Sequence, residues 1–383
     1  MRTIGVVSVA RSDYGIYLPV LRRIEADPKL QLLLYVSGMH LSPEFGLTVR
    51  GIEADGFAIH ERVEMLLSAD DAEGAAKSMG LGTLGFAQSF GRQRPDLLLV
   101  LGDRFEMHSA VVAAVPFKIP VAHIHGGELS EGAIDDALRH SITKLSHLHF
   151  VSNEDHARRV VQMGEEPWRV LVSGAPSLDN LAATRLLTKE QLEQEFKLKL
   201  AAPFLLVTFH PTTLEPEETE THVRNLLSAL HECGLPTVFT YPNADAQGRM
   251  IIELIKDFSA KRNNSQIVPN LGTQGWFSLM NIAAAMVGNS SSGLLEAPSF
   301  RLPVVNIGSR QRGRLRARNV IDVGYTRPEI VAGISRAIEP DFRAKLAEIV
   351  NPYGDGNAAE RIVPTLRDIE INDKLLVKRF HDQ

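Results

Sequence analysis

Short, continuous apolar runs alternate with longer amphipathic stretches along the whole of this 383-residue chain. The runs are apolar at consecutive positions, which is typical of strands covered on both faces. A repeating strand–helix pattern predicts parallel sheets with right-handed crossovers. We predict strands at Ile4–Ala10, Leu30–Ser37, Asp96–Leu101, Val121–His125, Leu148–Ser152, Arg169–Ser173, Phe204–Phe209, Thr237–Tyr241, Gln266–Val268, Ala284–Val287, Val304–Ile307 and Val320–Val323.

The chain is too long for one ordinary core, and its length favours two domains. We therefore predict an α/β fold of two doubly wound Rossmann-like domains that face a cleft. The polar stretch 187–202 separates two sets of strands and helices, so we predict the domain junction there. Apolar residues recur at helical spacing in Ile16–Ala26 and Ile134–Leu148, which we predict to be helices.

A formal charge of -5 gives no support to nucleic-acid binding, because readers of a phosphate backbone usually present a basic face. Cys233 is the only cysteine, so no intrachain disulfide can form and a reducing compartment is expected. The first apolar run is too short for a signal peptide, and no run approaches the length of a membrane span. We expect a cytoplasmic protein that does not contact membranes.

Arg11 follows the first predicted strand, where a helix is expected to begin. A dinucleotide-binding protein would carry G-x-G-x-x-G at this place, and its absence weakens an interpretation as an NAD-binding protein. A guanidinium beside the backbone N–H groups of a helix N-terminus suits an anion. The alternative is an exposed arginine next to a helix-capping Asp13.

Asp103 and Arg104 follow the apolar sequence DLLLVLG. Ligands of doubly wound sheets bind at the carboxyl ends of the strands, so ionisable residues there are candidates for a site. Asp103 could act as an acid or a base, and Arg104 could face a phosphate. The alternative is a surface turn.

His123, His125 and Glu128 lie in the sequence VAHIHGGE. Alternation along a strand predicts both histidine rings on one face, and the two glycines allow close approach of the backbone. Two histidines and one glutamate without a clear further ligand are a weak zinc signature, so we expect no metal. The alternative is that the histidines belong to the core or to a loop.

Asp135 and Arg139 lie four residues apart in the predicted helix and therefore share one face. Asp136 could pair with Arg139 or with His140. The simpler account is an acidic first turn that complements the helix dipole, with an ion pair at the surface. Spacing alone leaves both accounts open.

Polar residues also follow the strands of the second half. His210 comes directly after VTF, and Asn243 follows the predicted strand Thr237–Tyr241. Arg310 belongs to the arginine-rich sequence GSRQRGR, which could face phosphates or bridge the domains. These positions again match the carboxyl ends of parallel strands.

Ser290 and Ser291 belong to a hydroxyl-rich turn between a predicted strand and a predicted helix. Such a turn offers N–H and O–H donors without bulk, as a pyrophosphate requires. A serine N-cap is the alternative, but it explains only one of the three consecutive serines. Glu296, about one turn further on, could accept hydrogen bonds from ribose hydroxyls.

Taken in order, these motifs resemble the hydrolysing UDP-N-acetylglucosamine 2-epimerases of sialic acid and related nonulosonic acid synthesis. The resemblance runs from Arg2 to about Val323 and rests on ARSDYG, VSGMH, LGDRFE, HIHGGE, IDDALRHSITKLSH, TFHP, YPNADA, GNSSSGLLEAP and NIGSRQRGR. It implies a GT-B fold with a catalytic domain at 1–180, a UDP-binding domain at 181–360 and a C-terminal helix at 361–383 that crosses back to the first domain. It also implies a homodimer or homotetramer and no cofactor.

The resemblance further implies elimination of UDP from UDP-GlcNAc to give a 2-acetamidoglucal, and hydration to free ManNAc. Asp103 and Asp135 would be the acid/base carboxylates, and His210 would face the pyrophosphate or the glycosidic oxygen. The other implied contacts are Arg11, Ser290 and Ser291 to phosphates, Glu296 to ribose, Trp276 to uracil, His40 to the sugar, and Asn243, Arg104, Arg139 and Arg310 in support.

The chain departs from many family members at one position, because it has His125 where they have a catalytic glutamate. Either His125 or Glu128 would then take the proton-transfer role. The same departure leaves the sugar open, so UDP-2,4-diacetamido-2,4,6-trideoxyglucose of the legionaminic acid pathway is an alternative substrate. A non-hydrolysing 2-epimerase, a glycosyltransferase with an acceptor groove and a non-catalytic UDP-sugar-binding protein are the rival functions.

Overall fold

The computed structural model describes residues 1–68, 71–130, 134–211, 218–242, 248–269 and 271–382. The chain divides into two compact units, of which the first comprises Met1–Asn180 and Tyr353–Gln383 and the second Leu181–Pro352. Within the described residues, no helix is long and apolar enough to cross a membrane.

The first unit is built on a seven-stranded, all-parallel sheet with the strand order β3-β2-β1-β4-β5-β6-β7. Its strands are β1 (Arg2–Ser8), β2 (Leu30–Ser37), β3 (Ile59–Val63), β4 (Leu97–Leu101), β5 (Val121–Ile124), β6 (Leu148–Val151) and β7 (Val170–Val172). The order reverses between β1 and β4, and the crevice at such a switch point is where doubly wound sheets bind ligands.

The second unit has a six-stranded parallel sheet with the order β10-β9-β8-β11-β12-β13. Its strands are β8 (Leu205–Thr208), β9 (Thr237–Thr240), β10 (Ser265–Val268), β11 (Ala285–Gly288), β12 (Val304–Ile307) and β13 (Val320–Val323). Here the order reverses between β8 and β11, which defines a second switch point. Both units thus have the Rossmann-like architecture that the alternating pattern predicts.

Helices connect the strands in both units. Those of the first unit are α1 (Arg11–Ala26), α2 (Val49–Ala54), α3 (Ala72–Arg92), α4 (Phe105–Ala114), α5 (Ile134–Leu145) and α6 (Glu154–Gln162), and α7 (Asp179–Ala183) carries the chain across the unit boundary. Those of the second unit are α8 (Lys189–Phe196), α9 (Thr219–Cys233), α10 (Gly248–Ala260), α11 (Gly272–Ile282), α12 (Ser292–Leu295), α13 (Arg327–Ile338) and α14 (Pro340–Ala344). The chain ends with α15 (Ala358–Asp368) and α16 (Asp373–Leu376).

The C-terminal segment belongs to the core of the first unit. Buried residues of α15, among them Ile362 and Leu366, pack in the same cluster as the strands β1, β2 and β4. Asp179 holds the start of α15, because its two carboxylate oxygens accept the backbone N–H groups of Ala358 and Ala359 at 2.8 and 2.7 Å. The return therefore begins at Tyr353 and not at residue 361.

Two sequence predictions need correction. The polar stretch 187–202 is no linker: its middle forms α8, and the fully buried Leu192 packs in a core cluster of the second unit. The unit boundary lies between Asn180 and Leu181, at the bounds 1–180 and 181–360 that the resemblance implies, and before the stretch 187–202. In addition, the apolar pattern does not predict the edge strand β3, because its sequence IHERV is mostly polar and only Val63 is buried.

Candidate active site

Arg139 joins the ionisable residues at the carboxyl ends of β4 and β5. Its side chain is 4 % exposed, and it forms ion pairs with Asp103 and with Glu128, the latter at 3.3 Å. It also donates to the Ser130 hydroxyl at 2.9 Å. One buried cation thus holds two carboxylates that come from different loops, as a preorganised acid–base site requires.

His125 and Glu128 form a hydrogen-bonded pair, in which His125 Nδ1 faces Glu128 Oε1. A carboxylate can only accept, so Nδ1 carries the proton and Nε2 keeps its lone pair in the neutral ring. The same Glu128 oxygen accepts from the Ser152 hydroxyl at 3.1 Å. Glu128 therefore orients a histidine whose Nε2 can accept a proton.

The backbone of His125 is in the left-handed region, with φ +64°. Residues other than glycine rarely adopt this conformation, and it often occurs at functional sites. It also corrects the prediction that His123 and His125 share a strand face, because β5 ends at Ile124 and the chain turns at His125. Gly127 completes the turn, since a Cβ there would lie 2.5 Å from the carbonyl oxygen of His156.

His123 has a structural role instead. It is fully buried, and its ring lies 2.7 Å from the Gly102 carbonyl oxygen and 3.2 Å from the Thr143 hydroxyl. Burial lowers its pKa to about 3. The ring is neutral at physiological pH, and it ties the end of β5 to the loop that carries Asp103.

Arg104 is held by a carboxylate that sequence analysis did not single out. It donates to Glu106 Oε1 and Oε2 at 3.0 and 3.3 Å, and the Glu106 side chain is fully buried. Arg104 also interacts electrostatically with Asp13 and Asp135. The guanidinium therefore links the residues that follow β1, β4 and β5.

Asp135 and its neighbour Asp136 differ in their surroundings. Asp136 accepts the Ser130 N–H at 2.7 Å and lies 3.5 Å from His140 Nε2. Asp135, half-buried in the first turn of α5, interacts with Arg104. The carboxylates that hold Arg139 come from the neighbouring loops, which the i,i+4 spacing of Asp135 and Arg139 does not reveal.

His40 and Arg11 complete the predicted residues of the first unit. His40 has no exposed surface, and its ring nitrogens lie 2.9 Å from the Ser8 hydroxyl and 2.7 Å from the Thr48 hydroxyl. Burial lowers its pKa to about 4. The predicted contact of His40 with a sugar would have to break these bonds. Arg11 is the first residue of α1, and its side chain is exposed.

In the second unit, Asn289 clamps the two strand ends at the switch point. Its side chain accepts the His210 N–H at 2.7 Å and donates to the His210 carbonyl oxygen at 2.9 Å. His210 is 6 % exposed, and burial lowers its pKa to about 3, with Arg310 acting in the same direction. The clamp fixes the backbone of His210 after β8, and the imidazole that this residue carries is neutral.

The loop after β12 meets the same clamp. Arg310 and Gln311 donate to the Asn289 carbonyl oxygen at 3.1 and 2.8 Å. Ser290 and Ser291, which follow Asn289, are half-buried. The predicted hydroxyl-rich turn, the histidine and an arginine thus lie around one asparagine.

The helix after the serines is a single turn. The helix α12 spans only Ser292–Leu295 and is followed by a 3-10 turn at Ala297–Phe300. A single turn has a small dipole, so the hydroxyls and arginines matter more for an anion here than the helix does. The side-chain oxygen Glu296 Oε2 is buried without a partner in the described residues, and burial raises its pKa.

Trp276 and Asn243 are the remaining predicted site residues. Trp276, on α11, is half-buried against a core cluster of the second unit. Asn243 lies outside the described residues. Among the residues that the structure describes, no group of three histidine, cysteine or acidic side chains could hold a metal ion.

Comparison with known proteins identifies the family. Residues 22–367 match the family model described as UDP-N-acetylglucosamine 2-epimerase. This chain belongs to that family. The match confirms the family predicted from the ordered motifs, and the curated relatives show that the chain is an enzyme of the hydrolysing 2-epimerase type.

Two curated members of the epimerase family match over almost their full length. One is the GDP/UDP-N,N'-diacetylbacillosamine 2-epimerase (hydrolyzing) of Campylobacter jejuni, which is 38% identical and covers 100% of this chain and 99% of that protein. The other is the UDP-N,N'-diacetylbacillosamine 2-epimerase (hydrolyzing) of Legionella pneumophila, which is 35% identical over 99% of both.

A solved structure confirms the fold of the epimerase chain. The UDP-GlcNAc 2-epimerase from Neisseria meningitidis bound to UDP-GlcNAc superposes with a TM-score of 0.81, over 96% of this chain and 99% of that one, at 20% identity. The fold is therefore GT-B, with two Rossmann-like domains, as the sequence predicts.

Sequence reasoning assigned no site role to three residues of these clusters, Glu106, Asn289 and Asp13, and it considered Asp13 only as a helix cap. Each lies inside a motif quoted for the resemblance, and each directly or closely follows a strand. Their position after a strand could have identified them as candidates. Their buried partners come from other loops and cannot be derived from spacing in the sequence.

Proposed function

We propose that this enzyme converts a UDP-linked 2-acetamido sugar to the free 2-epimer and UDP. The observation that carries the proposal is the cluster around Arg139, which joins Asp103 and Glu128 and, through Glu128, orients His125. Proton removal from carbon 2 and its return from the other face need more than one acid–base group. The first unit has several within one cluster.

The proposed reaction has two steps. A base takes the proton from carbon 2 while the bond between carbon 1 and the UDP oxygen breaks, and the electron pair of the C–H bond forms the double bond of a 2-acetamidoglucal. Water then gives its oxygen to carbon 1, and carbon 2 receives a proton from the opposite face. The product is the free 2-epimer.

We assign His125 Nε2 as the base for one of these transfers and Glu128 as the group that orients it. This assignment unites the two alternatives left open by the sequence. Asp103 and Asp135 are the remaining acid–base carboxylates, and Arg104 and Arg139 are supporting cations. A contact of His40 with the sugar has less support, because hydroxyls already occupy both of its ring nitrogens.

We assign UDP binding to the second unit. The hydroxyls of Ser290 and Ser291, with Arg310 and the neutral His210, offer donors suited to a diphosphate. Arg11, exposed at the start of α1, is a further proposed phosphate contact. Glu296 would accept from ribose, Trp276 would contact the uracil, and Asn243 stays a proposed supporting contact.

The two relatives named for N,N'-diacetylbacillosamine are 38% and 35% identical to this chain. This similarity favours UDP-N,N'-diacetylbacillosamine over UDP-GlcNAc as the substrate. The free sugar would then feed the synthesis of a nonulosonic acid. We further propose that the enzyme works in the cytoplasm as a homodimer or homotetramer.

A substrate panel tests the proposal. Purified enzyme is incubated with UDP-N,N'-diacetylbacillosamine, UDP-GlcNAc and UDP-ManNAc, and both UDP release and sugar products are followed. We expect UDP and a free 2-epimer, with the highest kcat/KM for the diacetamido sugar. Conversion to a UDP-linked epimer without UDP release would move the enzyme to the non-hydrolysing type.

A further inference from the structure

Asp13 is a buried carboxylate that the proposed function does not use. It is 5 % exposed in the first turn of α1, at the carboxyl end of β1. Its Oδ1 receives a long hydrogen bond from the Ser12 hydroxyl at 3.3 Å. Its Oδ2 is buried and has no hydrogen-bond partner in the described residues, although the carboxyl group also interacts with the backbone of Val9.

A role in capping α1 does not explain this side chain. The N-cap residue is Ala10, and no side chain caps the helix. An acidic residue in the first turn complements the helix dipole equally well from the surface, where it stays hydrated. Burial raises the pKa of Asp13 to about 6, so the charged form is costly at neutral pH and the residue weakens the fold.

The surroundings of Asp13 connect it to the candidate active site. Arg104 and Glu106 are the charged groups that act on it, and Arg104 is the same guanidinium that interacts with Asp135. Tyr17, one turn along α1, interacts electrostatically with Asp13, and its buried hydroxyl has no partner in the described residues. β1 and β4 border the switch point of the first sheet, so Asp13 and Asp103 follow the two strands between which a ligand is expected.

We propose that Asp13 is a substrate-contacting carboxylate, which accepts a hydrogen bond on Oδ2 from a hydroxyl or an acetamido N–H of the sugar. This inference rests on the proposed function and adds one residue to its site. A carboxylate repels phosphates and pairs well with the hydroxyl and N–H donors of a 2-acetamido sugar. The contact therefore distinguishes the sugar from the UDP portion of the substrate.

The test separates an effect on the sugar from an effect on the UDP portion of the substrate. Asp13→Asn keeps the shape of the side chain and removes its charge, and Ser12→Ala is a matched control that removes only its hydroxyl neighbour. Each variant is compared with wild type in kcat/KM for the UDP-sugar, in Ki for UDP as a competitive inhibitor, and in thermal midpoint.

For Asp13→Asn we expect kcat/KM to fall by about tenfold or more, the usual effect of losing a hydrogen bond to a charged group. We expect Ki for UDP to stay within about twofold, because UDP lacks the sugar, and we expect the thermal midpoint to be unchanged or higher because a buried charge is removed. Ser12→Ala should resemble wild type in all three measurements.

Wild-type kcat/KM in Asp13→Asn would overturn the inference and leave the proposed function intact. Equal losses in kcat/KM and UDP affinity, or a lowered thermal midpoint, would also overturn it, because they indicate a structural role. If the wild-type enzyme releases no UDP from any sugar of the panel, the proposed function fails and the inference fails with it.

Discussion

At the scale of single residues, the pair of His125 and Glu128 depends on a left-handed backbone at His125. Asparagine tolerates this conformation better than other residues with a Cβ, so His125→Asn removes the imidazole with little added strain. We expect turnover to fall by roughly 10²–10⁴-fold, the usual contribution of a general base, with a thermal midpoint close to wild type. Steady-state kinetics and thermal unfolding check this, and near-normal turnover would exclude His125 as the base.

The carboxylates Asp103 and Asp135 give a second prediction at this scale. Asp103→Asn or Asp135→Asn should lower turnover by at least about 10²-fold, because each removes a proton-transfer group. UDP should bind both variants as tightly as it binds wild type, which calorimetry measures. Asp136→Asn is the matched control, since this neighbour pairs with Ser130 and His140, and it should retain most of the activity. Wild-type rates in both variants would remove the catalytic assignment.

Sequence reasoning located these residues but not their partners. Asp103, His125 and Arg139 could be identified because they follow strands or lie in recognisable motifs. Helical spacing suggested Asp135 as the partner of Arg139, whereas the structure brings in Asp103 and Glu128 from other loops. Such contacts depend on how the loops of neighbouring strands meet, which local spacing does not encode.

At the scale of secondary-structure elements, the predictability of a strand depends on how apolar its sequence is. The strands β12 and β13 have the predicted bounds, because Pro303 and Gly308 delimit the first of these short, mostly apolar stretches and Asn319 and Gly324 delimit the second. The edge strand β3 has little apolar sequence, so the apolar pattern carries no signal for it. The helix α8 resembles a linker in sequence, since a single buried leucine does not stand out in a highly charged stretch.

The packing of β11 against β8 gives an element-scale prediction. A Cβ on Gly288, where φ is +139°, would lie 1.8 Å from the Thr208 carbonyl oxygen. Gly288→Ala should therefore destabilise the second unit by about 1–3 kcal/mol, the usual effect of overpacking, and weaken UDP binding. Urea unfolding followed by Trp276 fluorescence measures the loss. Gly80→Ala is the control, because a Cβ on Gly80 in α3 would meet no described atom within 4 Å, and this change should be neutral or stabilising.

At the scale of the whole molecule, the two units differ in their buried histidines. Burial lowers the pKa of His40, His123, His147 and His156 in the first unit and of His210 in the second to about 4 or about 3, and it also lowers the pKa of the fully buried His149 in the first unit. The ordinary histidine pKa is 6.5, so below that pH the unfolded chain binds more protons than the folded chain. The stability that these neutral histidines contribute is thus fully present above pH 6.5 and is lost as the pH falls towards 4.

We therefore expect acid to weaken the first unit more steeply than the second. Trp168 lies in the first unit and Trp276 in the second, and they are the two tryptophans of the chain. The variants Trp276→Phe and Trp168→Phe each leave one reporter, so urea midpoints between pH 7.5 and 4.5 can be followed for each unit by fluorescence. Asp13 and Asp179, whose pKa values burial raises, oppose this trend in the first unit, and Glu296 opposes it in the second. Equal slopes for the two reporters would contradict the expectation.

The central claim is that this chain epimerises carbon 2 by elimination and hydration. The most direct measurement is proton NMR of the enzyme with UDP-N,N'-diacetylbacillosamine, and then with UDP-GlcNAc, in heavy water. The account predicts free 2-epimer that carries deuterium at carbon 2, together with an equal amount of UDP. Free sugar that keeps its proton and its configuration at carbon 2 would contradict the account, because it would mean simple hydrolysis of the UDP-sugar.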